Sequence, residues 1–268
     1  MIARLEMPKQ KIDQMDFYVC QGWEPKFHGQ LSLRPKSVIG LPCNIGWQSE
    51  KDFEQQKDSV WSNSVPWSDE KAADLKAWLQ LTKDEKEFLV ARQIGYVDSQ
   101  HVYITMGMRF LCLSLWFMGS YSVNMKLGFF NPRRHPAAGR KWTVIIFGMA
   151  ALVMATINAV LQDAYSCSHD KWADRYAGLM GPDMCLAGYK YYEKQIKANR
   201  ALYELSPGAD KYFTSNGNIA SGAFRTKHLS LSSRKTYMKQ MYDNFMAKKE
   251  EVQDNAEDLA KDINAPSS

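Results

Sequence analysis

WTVIIFGMAALVMATINAVLQ, residues 142–162, is a run of 21 residues without a formal charge. At about 1.5 Å of helical rise per residue it reaches about 31 Å, the thickness of the hydrocarbon layer of a bilayer. A second apolar stretch precedes it. From Val102 to Met125 the sole charged residue is Arg109, and none follows it until Lys126. Arg109 stands near one end of its stretch, where a long side chain can carry its charge to the interface. The competing reading is a pair of helices buried in the core of a water-soluble protein. Tyr103, Phe129, Phe130 and Trp142 flank the two stretches, and aromatic residues concentrate at membrane–water interfaces.

The connector KLGFFNPRRHPAAGRK, residues 126–141, carries Lys126, Arg133, Arg134, Arg140 and Lys141 and no acid. Asp98, Asp163 and Asp170 lie beyond the outer ends of the two stretches. The positive-inside rule keeps such a loop on the cytoplasmic or matrix-equivalent side, so both larger polar segments face the opposite compartment. Five cations beside two apolar spans read as a topology signal, and no nucleic-acid partner is inferred from them.

The whole chain has 268 residues, a net charge of +5, 45% hydrophobic and 12% aromatic residues. This is long enough for a substantial core and too aromatic for wholesale disorder. The mean hydropathy of −0.42 looks soluble because the apolar residues are concentrated in the middle. Cys20, Cys43, Cys112, Cys167 and Cys185 are scattered and form no C-x-x-C pair, which argues against a disulfide scaffold or a cysteine-rich zinc module. The N-terminal stretch MIARLEMPKQKIDQMDF has no apolar run that reads as a secretory signal, and the chain has no N-x-S/T acceptor.

Outside the apolar stretches, residues 1–70 read as irregular structure with a few short strands, QLSL and KSVIGLP among them. Residues 71–101 read as helical, with Thr82 and Glu85 forming a capping box. After the second span, SHDKWADRYAGLM predicts a soluble helix that Gly181-Pro182 interrupts. A third helix is predicted from Asp183 to Leu205, with Tyr189, Tyr192 and Ile196 on one stripe. Asn216-Gly217 signals a tight turn. A last helix begins near Ser232 and includes Tyr237, Met238 and Met241. Beyond Ala247 the tail is charged and poor in apolar residues, which predicts frayed helix or disorder.

One constellation has the shape of chemistry without its donors. Arg92 and Tyr96 are four apart on one helical face, with Gln93 beside Arg92. ARQIGY stands where integral-membrane zinc peptidases of the HtpX and CAAX-prenyl-protease type read A-H-E-L-G-H. In those families two His bind zinc, the Glu is the general base, two spans follow, and a helix reading E-A-D-R-x-A supplies a third ligand. The chain reads Trp172-Ala-Asp174-Arg-Tyr-Ala at that place, and KHLSLSSRKTYMKQM resembles the terminal H-P-x-x-x-x-R helix. Arg92 has no lone pair to give, Tyr96 is a poor ligand, Trp172 is none, and Gln93 is no general base. Catalytic residues, metal and cofactor are therefore expected to be absent. Arg92, Gln93, Tyr96, Trp172 and Asp174 remain as candidates for a partner-binding groove between the ARQIGY and KWADRYA helices. Arg92 paired with Asp174 as an internal brace is the alternative.

A more specific resemblance rests on SVIGLPCNI, on residues 64–99 and on residues 191–241, with the two spans between them. These stretches resemble the transmembrane protein 177 family, from about Lys36 to Phe245. An N-terminal apolar segment of that family has no counterpart here. The resemblance implies a multi-pass protein of the mitochondrial inner membrane that supports cytochrome c oxidase subunit 2 and its assembly chaperone. The basic loop would then lie in the matrix and the soluble lobe in the intermembrane space, with membrane lipid as a further partner. An active membrane zinc peptidase is the rival from another class, and a lipid-binding or transport hairpin a third.

His28, His101, His135, His169 and His228 include no pair at i,i+4, Asn158 reads as an interhelical hydrogen bond, and Cys167 and Cys185 as structural. The expected fold is mainly α: a two-helix transmembrane hairpin inserted in a degenerate zinc-metallopeptidase-like lobe of α+β type with few short strands. Its parts are the N-terminal portion of the lobe (1–101), a first membrane helix (102–125), the basic loop (126–141), a second membrane helix (142–162), the C-terminal helical portion (163–246) and the tail (247–268).

Overall fold

The structure, a computed structural model, describes residues 7–20, 24–33, 36–47, 51–52, 67–129, 138–206, 208–222 and 225–263. The chain divides into two compact units. One combines residues 1–99, 170–220 and 229–268; the other holds residues 100–169 and 221–228. Each unit has its own physical logic.

The first unit is the lobe. It begins with the single turn α1 (Lys9–Ile12) and the strands β1 (Met15–Cys20), β2 (Lys26–His28) and β3 (Ser37–Pro42). The sheet order is β1-β3-β2, with β1 parallel and β2 antiparallel to β3. KSVIGLP thus forms the central strand. QLSL forms none: residues 30–33 make a turn in which Gln30 and Leu31 are buried. Gly40 faces Tyr18 across the register, and a Cβ there would come within 2.7 Å of the Tyr18 ring. The close approach of an aromatic side chain explains a glycine in a central strand.

The helices α2 (Ala72–Leu79) and α3 (Lys83–Val97) follow, separated where Thr82 caps α3. The capping box is complete: Glu85 N–H donates to Thr82 Oγ1 at 3.3 Å, and Thr82 N–H donates to Glu85 Oε2 at 2.8 Å. α6 (Pro182–Leu205) starts on the predicted proline, and α7 spans Leu231–Ile263. α6 packs against α2, α3 and α7. Its stripe of Tyr192 and Ile196 is buried, with Tyr189 at the margin. The core is anchored by Phe88 and Leu89 of α3, Tyr191 and Tyr192 of α6, and Met238 of α7. Gly217 takes the left-handed conformation (φ +77°) in the Asn216-Gly217 turn, where a Cβ would lie 2.2 Å from Ile196 O. The turn connects Phe213 and Ile219, which pair antiparallel. The charged stretch after Ala247 continues α7 as helix to Ile263. No helix breaker stands in it, and its Lys, Glu and Ala are good helix formers.

The second unit is the hairpin. α4 runs His101–Leu127, and α5 runs Ala138–Gly178, about 60 Å of unbroken helix. Its residues after His169 belong to the lobe. The second span and the soluble helix predicted after it are therefore one element, because no Gly or Pro lies between Gly148 and Gly178 to end it. α4 closes on Gly128 (φ +69°): the amides of Gly128 and Phe129 bond back to Met125 O and Asn124 O, both at 3.1 Å. Cys112, Ser120 and Asn124 are buried at helical spacing on one side of α4, and Trp116 Nε1 donates to Phe147 O of α5 at 2.9 Å. Asn158 accepts from Gln162 in its own helix (3.2 Å), a bond along α5 where one across the hairpin was expected.

The outer surface of the hairpin decides its solvent. Phe110 is 72% exposed, Val144 71%, Leu152 66% and Met118 64%. Helices from the core of a soluble protein would bury such side chains, as the lobe buries Leu75, Phe88 and Ile94 completely. The soluble-core reading therefore fails. Both helices are long and apolar enough to cross a membrane, and their exposed apolar faces require one. The fold is a mainly α membrane protein.

Candidate functional site

Asp170 and Asp174 stand four apart on α5, both buried. Like charges at this spacing repel, and burial sharpens the cost unless each carboxylate finds a partner. The partners come from three other helices of the lobe. Arg234 of α7 grips Asp174 in a two-pronged bond, Nε to Oδ2 at 2.7 Å and Nη2 to Oδ1 at 2.7 Å. Tyr192 Oη of α6 donates to Asp174 Oδ1 at 2.5 Å. Arg92 of α3 places its Nε 3.5 Å from the same oxygen. Asp170 accepts from Tyr96 Oη through Oδ1 and from the Leu229 amide through Oδ2 (3.0 Å).

Tyr96 is the bridge. Its hydroxyl donates to Asp170 and accepts from Arg92 Nη2 at 3.0 Å and from Arg234 Nη2 at 3.4 Å. The Phe27 ring stacks on it, centroids 4.7 Å apart and nearly coplanar. Tyr192 lies under the Arg234 guanidinium at 4.9 Å from ring centre, adding a cation–π contact. Two arginines and two aspartates thus form a neutral, largely buried cluster joining α3, α5, α6 and α7. Burial pushes the Tyr96 and Tyr192 hydroxyls up from their ordinary values, so both stay protonated and donate. Burial works against the charge on Arg92, as does Arg234; Asp174 opposes both, and the guanidinium stays above its ordinary value.

Of the five candidates from sequence, Arg92, Tyr96 and Asp174 come together. Gln93 is buried beside them in the chain, and its Oε1 has no hydrogen-bond partner among the described residues. Trp172 is 49% exposed. Two residues along a helix is about 200° of rotation, so a helix that turns Asp170 and Asp174 inward turns Trp172 outward. Sequence reasoning missed Asp170, Tyr192 and Arg234 as members. The i,i+4 pair of acids on α5 was the available signal for Asp170; Arg234 stood within the quoted RKTYM stretch. The space between the ARQIGY and KWADRYA segments is filled at Gly95, where a Cβ would sit 2.9 Å from Tyr176 Cβ.

The donor set fits no metal. Guanidinium nitrogens have no lone pair to offer, and the Asp174 oxygens are taken up by Arg and Tyr donors. Among the described residues no three His, Cys, Asp or Glu side chains are grouped to hold an ion.

The model of one protein family, Transmembrane protein 177, matches residues 23–252. The chain belongs to that family. It is 26% identical to Transmembrane protein 177 of Homo sapiens over 227 residues, covering 82% of this chain and 69% of that protein. Against the Xenopus laevis protein of the same name it is 25% identical over 223 residues (81% and 70%), and against that of Rattus norvegicus 23% over 224 residues (82% and 69%). No solved structure matches the chain.

Proposed function

We propose that the chain is a non-catalytic, membrane-anchored scaffold that supports cytochrome c oxidase subunit 2 and its assembly chaperone in the mitochondrial inner membrane. The observation that carries the scaffold reading is the Arg92–Asp174–Arg234 cluster. At the place where a membrane zinc peptidase of the resembled type keeps two ligands and a base, this lobe has a neutral ion-pair brace with its protons committed. Four helices are cross-linked there by ion pairs and hydrogen bonds. Family membership supports the partner, and the exposed apolar hairpin supports the membrane anchorage. The positive-inside rule puts the basic loop in the matrix and the lobe in the intermembrane space.

The test is immunocapture of the tagged chain after pulse-labelling of mitochondrial translation. Newly made oxidase subunit 2 should co-purify, and its half-life should shorten several-fold in cells lacking the chain. Absent co-capture together with an unchanged half-life refutes the proposal. Stoichiometric zinc in chain purified without chelators would restore the peptidase reading. A C-terminal tag should be digested by protease in mitoplasts; a protected tag reverses the topology.

A further inference from the structure

The neck of the hairpin concentrates positive charge that no acid among the described residues pairs with. Lys126 ends α4, and Arg140 and Lys141 occupy the first turn of α5; all three are exposed. None of the three side chains has a hydrogen bond or ion pair with another described residue. The first turn of α5 has no acid, and cations there oppose the helix dipole. They do not stabilise α5 by themselves. The backbone nevertheless holds them at a fixed place. Gly128 terminates α4, and the next residue, Phe129, stacks on Trp142 of α5 with ring centroids 6.4 Å apart and 16° between planes. That stack ties the end of one membrane helix to the start of the other, at the level where aromatic rings meet headgroups.

We infer that this neck is a docking surface for anionic phospholipid headgroups. The charge is complementary to a phosphodiester, and apolar side chains such as Met125 and Val144, which flank the cations, are exposed as an acyl chain requires. Basic residues at a membrane surface each add favourable free energy with anionic lipid that zwitterionic lipid does not supply, and neighbouring cations add together. The inference needs the membrane hairpin alone and stands apart from the oxidase partner.

Trp142 supplies its own probe. The full chain is reconstituted in phosphatidylcholine vesicles containing either brominated phosphatidylglycerol or brominated phosphatidylcholine at equal mole fraction. The Trp142 signal is taken as the difference from W142F. Quenching by the anionic lipid should exceed that by the zwitterionic one about threefold or more. The preference should fall to about one in K126Q/R140Q/K141Q and persist in the charge-conserving K126R/R140K/K141R. Reconstitution from purified protein keeps the variants independent of topology signals read during insertion. Inorganic phosphate at constant ionic strength should not compete. Equal quenching by the two lipids, a preference that survives in the glutamine variant, or its loss to phosphate would each overturn the inference.

Discussion

The lobe and the hairpin follow opposite burial rules. In the lobe, Leu75, Phe88, Ile94 and Tyr192 are completely buried, and even the charges of Asp174 and Arg234 are interior. In the hairpin, Phe110, Val144 and Leu152 face outward, whereas Cys112, Ser120 and Asn124 face inward. The same physics acts in both. Apolar area leaves water, into a protein core in one unit and into lipid in the other. What remains for the interior then differs: a packed hydrophobic core with paired buried charges in the lobe, and small or polar contacts between helices in the hairpin.

The sharpest way to break this comparison is to unpair the lobe's cluster. R234A takes the two-pronged partner from buried Asp174 and leaves it Tyr192 and the more distant Arg92, and the unfolding free energy of the detergent-solubilised chain should fall by about 3 kcal/mol, read by denaturant titration. The double change R234M/D174L removes both charges and should cost far less. If R234A unfolds with the wild-type midpoint, the cluster braces nothing.

Next in size is a charge on the lipid face. L152K near the middle of the second span should weaken insertion by about 2.5–3.5 kcal/mol, seen as release of the chain in alkaline carbonate extraction, while L152F stays in the pellet. Full retention of L152K would mean that this face does not meet hydrocarbon.

G188A should act more mildly. A Cβ on Gly188 would approach Phe88 Cε2 to 2.6 Å and Met238 Cε to 2.8 Å, and such overpacking typically costs about 1–3 kcal/mol. A wild-type melting temperature for G188A would show that these side chains yield freely.

Alkaline titration probes the lobe core without mutation. Burial pushes Cys185 up to about 11 and Tyr191 up to about 12, from ordinary values of 9.0 and 10.0. The unfolded chain therefore loses these protons first, and stability falls as pH rises from about 9 through 12. The contribution is fully present below about pH 9. A denaturation midpoint flat across that window would contradict the burial of both groups. The smallest effect belongs to the exposed Lys71–Glu204 pair, whose double glutamine replacement should leave the midpoint unchanged within error.

Much of the architecture was legible along the chain because its signals are local. A charge-free run long enough to cross a bilayer, a Thr82–Glu85 capping box, a Gly181-Pro182 break and an Asn216-Gly217 turn each depend on neighbours in sequence. QLSL misled because alternation over four residues fits a turn that buries Gln30 and Leu31 as well as a strand. The separate soluble helix expected after the second span misled because a change of solvent along a helix needs no change of backbone. Arg92, Tyr96 and Asp174 could be named in advance from their helical phase and a resemblance. Trp172 was placed with them by the resemblance alone, and helical phase turns it away.

The sequence by itself determined where the chain meets lipid, since a bilayer tests hydrophobicity residue by residue over a fixed thickness. It also determined the helix starts and stops, which depend on caps and breakers a few residues away. Only the tertiary structure decided that Asp170 and Asp174, a repelling pair on an isolated helix, are satisfied by Tyr96, Tyr192 and Arg234. Those residues lie between 18 and 74 positions from the aspartates they bond. An ion pair's partners are set by the packing of whole helices, and no local pattern of residues encodes that distance.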